Sequence, residues 1–299
     1  MGLHDENNTV IVHSVTMTKK SEHKTKHTRK HYPKMTNKQE PNKTSYVGQK
    51  PEIKISKIGM ASREYNVHHD FTENLVEIFR IFDTAKCDAI LFSLYSIYAR
   101  QGYSLNKHLE RLKNIKLVML ESFHENNSEP INHAYFRDPK TNKWERYDYS
   151  QKFGSLSEMN DSKLYSFVES EIPQRIFGNS ISLLCGETNI VKYSKEKKKI
   201  IDIFKLNAAI PDYVQIILNP IHDRMTRFEM KLKRQFLSEN NRWVISVWNK
   251  GKKDKNGTIK NEKKPAWTVF YNGKEIEVKQ LKHDLGPEIE LGIVNTRCK

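Results

Sequence analysis

The stretch SLLCGETNIV, residues 182–191, runs an apolar segment into Cys185, follows it at once with Gly186, and places a carboxylate, Glu187, two residues past the thiol. A strand that delivers a cysteine to a glycine-containing turn leaves the sulfur at a sheet edge, where a substrate can reach it. The ordinary alternative is a buried thiol before a turn, because free cysteine is among the most buried residue types. A nucleophile also needs a base nearby or a lowered pKa. The segment alone leaves both readings open. Cys87 precedes a buried apolar run and Cys298 stands among the last residues, so both are weaker candidates.

Outward from Cys185, strand and helix patterns alternate. On the N-terminal side, EIKISKIGM (52–60) alternates isoleucine with lysine and predicts a strand. Asp70 with Glu73 three residues on fits an N-terminal capping box. Phe71, Leu75, Ile78, Phe79 and Phe82 then recur at helical spacing. AILFSLY (89–95) and KLVMLESF (116–123) read as buried strands, with a helical pattern near 104–113 between them. NHAYFRDP (132–139) and KWERYDY (143–149) share the turn-forming PKTN and read as a β-hairpin. An irregular connection over 150–180, with a short helix at 161–169, leads to the strand ISLLC (181–185). On the C-terminal side come a lysine-rich helix at 195–206, the strand YVQIILNP (213–220), a helix over 226–241 and the strand RWVISVWNKG (242–251). A polar loop (250–264), the hairpin WTVFYNGKEIEV (267–278) with its Asn-Gly turn, and EIELGIVN (288–295) complete the pattern. This alternation indicates an α/β fold with mixed sheets. Neither common glycine-rich phosphate loop is present in the sequence.

The net charge is +15, from 51 basic and 36 acidic residues. Residues 1–50 contribute +6 of it with almost no apolar clustering, which predicts a disordered basic tail ahead of a domain spanning 51–299. Such a charge favours nucleic acid or another anionic partner, and it fits a lysine-rich solvated surface equally well. Three cysteines without a CxxC pair argue for a reducing compartment and against a structural zinc site, and no signal-peptide or membrane-helix pattern is visible. The expectation is therefore a cytoplasmic protein without membrane contact. His222, Asp223 and Arg224 follow a predicted strand end, a usual location for binding groups in α/β sheets. His222 and Arg224 are thus candidate substrate-binding residues, and Asp223 reads equally as the cap of the next helix. The run HHD (68–70) lacks a third ligand, so no metal is expected.

The element order, together with the cysteine strand, resembles the nitrilase (carbon–nitrogen hydrolase) superfamily over most of residues 52–295. DAILFSLY (88–95) stands where that family has ADLVVFPE, and YDYSQKFGSL (147–156) where it has YRKxxL. LLCGETN (183–189) replaces LICWEN, DYVQIILNPIHD (212–223) replaces ADLLLNPS, and WVISVWN (243–249) replaces VVAAN. The resemblance implies a nitrilase-like four-layer α-β-β-α sandwich with mixed sheets, preceded by the basic tail.

It also implies a Glu–Lys–Cys chemistry. The cysteine attacks an amide or nitrile carbon, the glutamate is the general base, and the lysine stabilises the oxyanion. Cys185 matches the nucleophile, and Lys152 matches the lysine, with Tyr149 as the alternative register. The glutamate's position falls on Leu94, which accepts no proton. Glu121, Glu158 and Glu187 are the carboxylates that could replace it, and Glu187 lies nearest in sequence to the thiol. The implied protein is a C–N hydrolase of amidase type acting on a small amide-like substrate without a cofactor, assembled as a homo-oligomer. Leu94 keeps a second expectation open: a non-catalytic binding protein of the same fold, with nucleic acid bound through residues 1–50.

Overall fold

A computed structural model describes residues 53–65, 70–98, 105–124, 129–222, 228–251 and 265–297. The expected tail 1–50, His68, His69, Arg224 and Cys298 lie outside these residues. The first half runs β1 (Lys57–Arg63), α1 (Leu75–Thr84), β2 (Ala89–Phe92), β3 (Ile97–Tyr98), α2 (Asn106–Leu109), β4 (Leu117–Phe123), β5 (Ile131–Arg137) and β6 (Trp144–Tyr149). The second half adds α3 (Asp161–Ser166), α4 (Ile172–Gln174), β7 (Ile176–Phe177), β8 (Ser180–Ser182), β9 (Lys192–Ser194), β10 (Lys199–Ile201), α5 (Leu206–Ala209) and β11 (Ile216–Pro220). It ends with α6 (Phe228–Leu237), β12 (Trp243–Val247), β13 (Trp267–Tyr271), β14 (Lys274–Ile276), β15 (Gln280–Leu281) and β16 (Ile289–Asn295).

Two mixed sheets form. One has the order β15-β16-β1-β2-β4-β5-β6 with β3 added beside β4, and the other β14-β13-β12-β11-β8-β7. The strands at the centre of each are parallel, β1–β2–β4 in the first and β8–β11–β12 in the second.

Side-chain alternation along these strands sets the layers. Ile58 and Met60 of β1, Leu91 of β2 and Met119 of β4 share one cluster with Ile216 and Leu218 of β11 and Ile245 of β12, so the sheets pack face to face. The opposite face of the first sheet, with Ala61, Ile90, Phe92 and Val118, packs against Ile78, Phe79 and Phe82 of α1. The opposite face of the second sheet, with Ile217 and Val244, packs against Leu164 of α3, Leu206 of α5 and Leu237 of α6. The order is helix, sheet, sheet, helix, the four-layer sandwich that the resemblance implies. Both faces of the central strands are covered, which explains why AILF is apolar throughout and WVISV apolar except for Ser246, whose hydroxyl donates to Asn219 Oδ1.

Three local expectations are corrected. Asp70 does not cap α1. That helix starts a turn later, after Asn74, and Asp70 instead accepts from Thr72 N and Oγ1 and from Tyr98 N. The lysine-rich helix at 195–206 is largely a hairpin of β9 and β10, turning at Lys198 (φ 48°), with helix only in α5. Its lysines present no apolar stripe to bury, whereas Tyr193 and Ile200 pair directly across the strands. The cysteine strand is shorter than 181–185: β8 ends at Ser182, and Cys185–Ile190 form a 3₁₀ helix. The Asn-Gly hairpin turn stands as read, with Asn272 and Gly273 both at positive φ (45° and 77°), the conformation a type I′ turn requires.

Candidate active site

The C-terminal ends of the parallel strands of both sheets meet at one end of the sandwich. Ser62 Oγ near the end of β1 donates to Trp248 O after β12 at 2.6 Å. Asn249 Nδ2 donates to Leu94 O after β2 at 2.7 Å, and Ser93 Oγ bonds Asn249 Oδ1. Leu94, Ser93 and Asn249 are all buried. The position that the resemblance assigns to a general base is thus occupied by an apolar core side chain.

Cys185 lies at this end, half-buried, at the start of the 3₁₀ helix that follows β8. It packs against Ile221, Trp248 and Ala266. Gly186 is required beside it, because a Cβ there would overlap the backbone of Phe153 and Gly154. Arg234 of α6 is nearly fully buried, and its Nη1 donates to Thr268 Oγ1 at 3.3 Å. Burial pushes this guanidinium down to about 10, opposed by the negative charges of a Cys185 thiolate and of Glu275. Cys87, by contrast, is fully buried, and desolvation pushes its thiol up to about 12.

Glu187 is brought next to Cys185 by the 3₁₀ turn, but both its oxygens are occupied. Oε2 accepts from Arg175 Nη1 at 2.5 Å and from Leu184 N at 2.8 Å, and Oε1 accepts from Lys152 N at 2.9 Å. Both Glu187 and Arg175 have 0% exposure. Arg175 lies between the rings of Tyr149 and Phe167, at 5.0 and 5.4 Å, and also donates to Ser150 O. Glu187 is a strut that ties the cysteine turn to the segment after β6.

Lys152 contributes only its backbone N–H to that strut. Its ammonium pairs with Glu171 at 2.9 Å and is partly exposed. Tyr149, the alternative register, ends β6 on the inter-sheet face and donates its hydroxyl to Ser182 Oγ at 2.7 Å; burial pushes its phenol up. Glu158 is an exposed cap whose carboxylate accepts from Gly154 N and Ser155 N.

Glu121 has the most pointed surroundings of the three named carboxylates. It sits near the end of β4 on the inter-sheet side, 2% exposed. Its Oε2 accepts from Tyr95 N at 2.7 Å and contacts His222 Nε2 at 3.2 Å, and its Oε1 accepts from Asn132 Nδ2 at 3.1 Å. His222 follows β11 and stacks on Tyr95, with ring centroids 4.1 Å apart. The sequence marked both residues but had no signal linking them across 101 positions. Arg175 and Arg234 also went unremarked, since nothing local distinguishes a buried arginine from a solvated one.

No protein-family model matches the chain. No curated protein sequence matches it either. Among solved structures, the chain is similar to an amidase from the nitrilase superfamily of Nesterenkonia AN1, at 10% identity and a TM-score of 0.45, covering 83% of this chain and 93% of that one. It is similar to Saccharomyces cerevisiae Nit3, a member of branch 10 of the nitrilase superfamily, at 10% identity and a TM-score of 0.42, again covering 83% and 93%. It is also similar to a glutamine-dependent NAD(+) synthetase from Cytophaga hutchinsonii, at 10% identity and a TM-score of 0.42; the match covers 81% of this chain but only 43% of the synthetase. Among the described residues, no helix is long and apolar enough to cross a membrane.

Proposed function

We propose that this nitrilase-like sandwich is a thiol enzyme of the carbon–nitrogen hydrolase type, with Cys185 attacking the acyl carbon of a small amide-like substrate. The supporting observation is the setting of Cys185: a half-buried thiol near the meeting point of the parallel strand ends, packed on the cluster of Ile221, Trp248 and Ala266, with the buried Arg234 of α6 within electrostatic reach. In the proposed reaction the Cys185 thiolate adds to the carbonyl carbon. The C–N bond then breaks, and the amine leaves with a proton. Water cleaves the thioester, releasing the acid and restoring the thiol. A reducing cytoplasm is the matching environment, since the thiol must stay free.

Iodoacetamide labelling of the intact protein, read by peptide mass spectrometry, tests the proposal. Cys185 is expected to react selectively, Cys298 more slowly, and Cys87 not at all while the fold is intact. A Cys185 no more reactive than Cys298 would end the reading.

One observation favours a second reading, a non-catalytic binding protein: Leu94 is buried in the core where a general base is expected, and Glu187 is bound to Arg175. That reading expects salt-sensitive binding of DNA or RNA, weakened when residues 1–50 are removed. Absence of binding at low salt would eliminate it.

A further inference from the structure

We infer that Glu121 and His222 form the acid–base pair that serves Cys185, in place of the glutamate missing at Leu94; the inference rests on the reading of Cys185 as a nucleophile. The two residues come from opposite sheets and meet where the strand ends converge, Glu121 on β4 and His222 two residues past β11. Glu121 is held on three sides. Tyr95 N and His222 Nε2 face Oε2, and Asn132 Nδ2 faces Oε1. A carboxylate accepts only, so the proton between it and the ring belongs to Nε2, and Nδ1 is left as the basic nitrogen.

The loop after β2 is rebuilt around this pair. Tyr95 follows Leu94 directly and takes a left-handed backbone conformation, φ 54°, which is unfavourable for a bulky residue. In that conformation its N–H reaches Glu121 and its ring lies against His222, with 21° between the planes. Arg63 Nη2 anchors the same residue through Tyr95 O at 3.2 Å. The segment that no longer supplies a carboxylate thus positions one from the neighbouring strand.

His222 adjoins Ile221, and Ile221 packs with Cys185 in one cluster. Among the described residues, the charged and titratable groups named around the assembly are Glu121, the Tyr95 phenol and Arg63 on the first sheet, and Arg234 on the Cys185 side. In the reaction, Nδ1 of His222 takes the thiol proton of Cys185, and Glu121 stabilises the resulting imidazolium. The thiolate forms the C–S bond. As the C–N bond breaks, the imidazolium returns that proton to the departing amine. For hydrolysis of the thioester the imidazole takes a proton from water and hands it to the departing sulfur, so every proton is accounted for.

The test is the pH dependence of Cys185 alkylation in the full chain, for wild type, His222→Gln and the shape-conserving Glu121→Gln. An unassisted thiol ionises near pH 8.5 and is only a few per cent thiolate at pH 7. His222→Gln is therefore expected to slow labelling by about tenfold at pH 7, with the gap closing as the pH approaches about 10. Glu121→Gln is expected to act in the same direction, less strongly, and it carries the test if His222→Gln does not fold. A bridge that is only structural would lower the melting temperature and leave the two profiles parallel, which overturns the inference. Unselective labelling of Cys185 in wild type is a different failure, that of the nucleophile reading itself.

Discussion

Glu187→Ala is expected to destabilise the protein severely, because it removes one partner of a fully buried ion pair. Arg175 and Glu187 both have 0% exposure and are 2.5 Å apart. Deleting one member of such a pair leaves an uncompensated buried charge, at a cost of about 3–5 kcal/mol. The backbone N–H groups of Leu184 and Lys152 lose their acceptor as well, and an unsatisfied buried donor adds about 1–3 kcal/mol. A domain stable by about 5–15 kcal/mol survives this only narrowly.

Urea unfolding followed by tryptophan fluorescence is a suitable assay, since Trp243, Trp248 and Trp267 are all buried. With a slope of about 2–3 kcal/mol/M, the midpoint should fall by at least about 1 M. The pair Glu187→Gln with Arg175→Met removes both charges while retaining much of the volume, and should recover most of the loss. A destabilisation below about 1 kcal/mol for Glu187→Ala would refute the strut. So would a folded Glu187→Gln variant with wild-type stability and slowed Cys185 labelling, the signature of a general base.

Two further outcomes follow from the same structure. Gly186→Ala forces a methyl group into the backbone of Phe153 and Gly154; it should cost about 1–3 kcal/mol in urea unfolding and change the Cys185 labelling rate. For Asp88, burial pulls the carboxyl up, but the Lys116 ammonium and the Ser56 and Lys57 donors outweigh it, so the folded-state value is depressed. A depressed carboxyl contributes stability above its unfolded value, near pH 3.9, and loses it as the pH falls through the folded value. Asp88→Asn should therefore lower the urea midpoint at pH 7 and make no difference in strong acid.

Most of the sandwich was legible in the sequence. The β5–β6 hairpin, the Asn272–Gly273 turn and the apolar runs of β2, β4, β11 and β12 are encoded by patterns within a dozen residues, so period and turn chemistry expose them. The strand leading toward Cys185 was readable for the same reason, though it was read to run through the cysteine and ends three residues before it. The misread elements are those whose state depends on distant partners. Asp70 has the composition of a cap, yet it is drawn to Tyr98 N. The lysine-rich run has good intrinsic helix formers, but without an apolar face it pairs as strands.

The candidate site divides along the same line. By itself the sequence determined that the thiol lies shortly after an apolar strand and directly before a glycine, that the end of the AILFSLY run carries no carboxylate, and that His222 follows a strand; each is a matter of order along the chain. Only the tertiary structure decided what the carboxylates do. Glu187, two residues from the thiol, is spent on Arg175, while Glu121, 101 residues from His222, faces its ring. A buried charge must find a counter-charge or donors wherever packing places them. Proximity along the chain carries no information about which partner that is, and two sheets meeting face to face bring together residues that no local pattern connects.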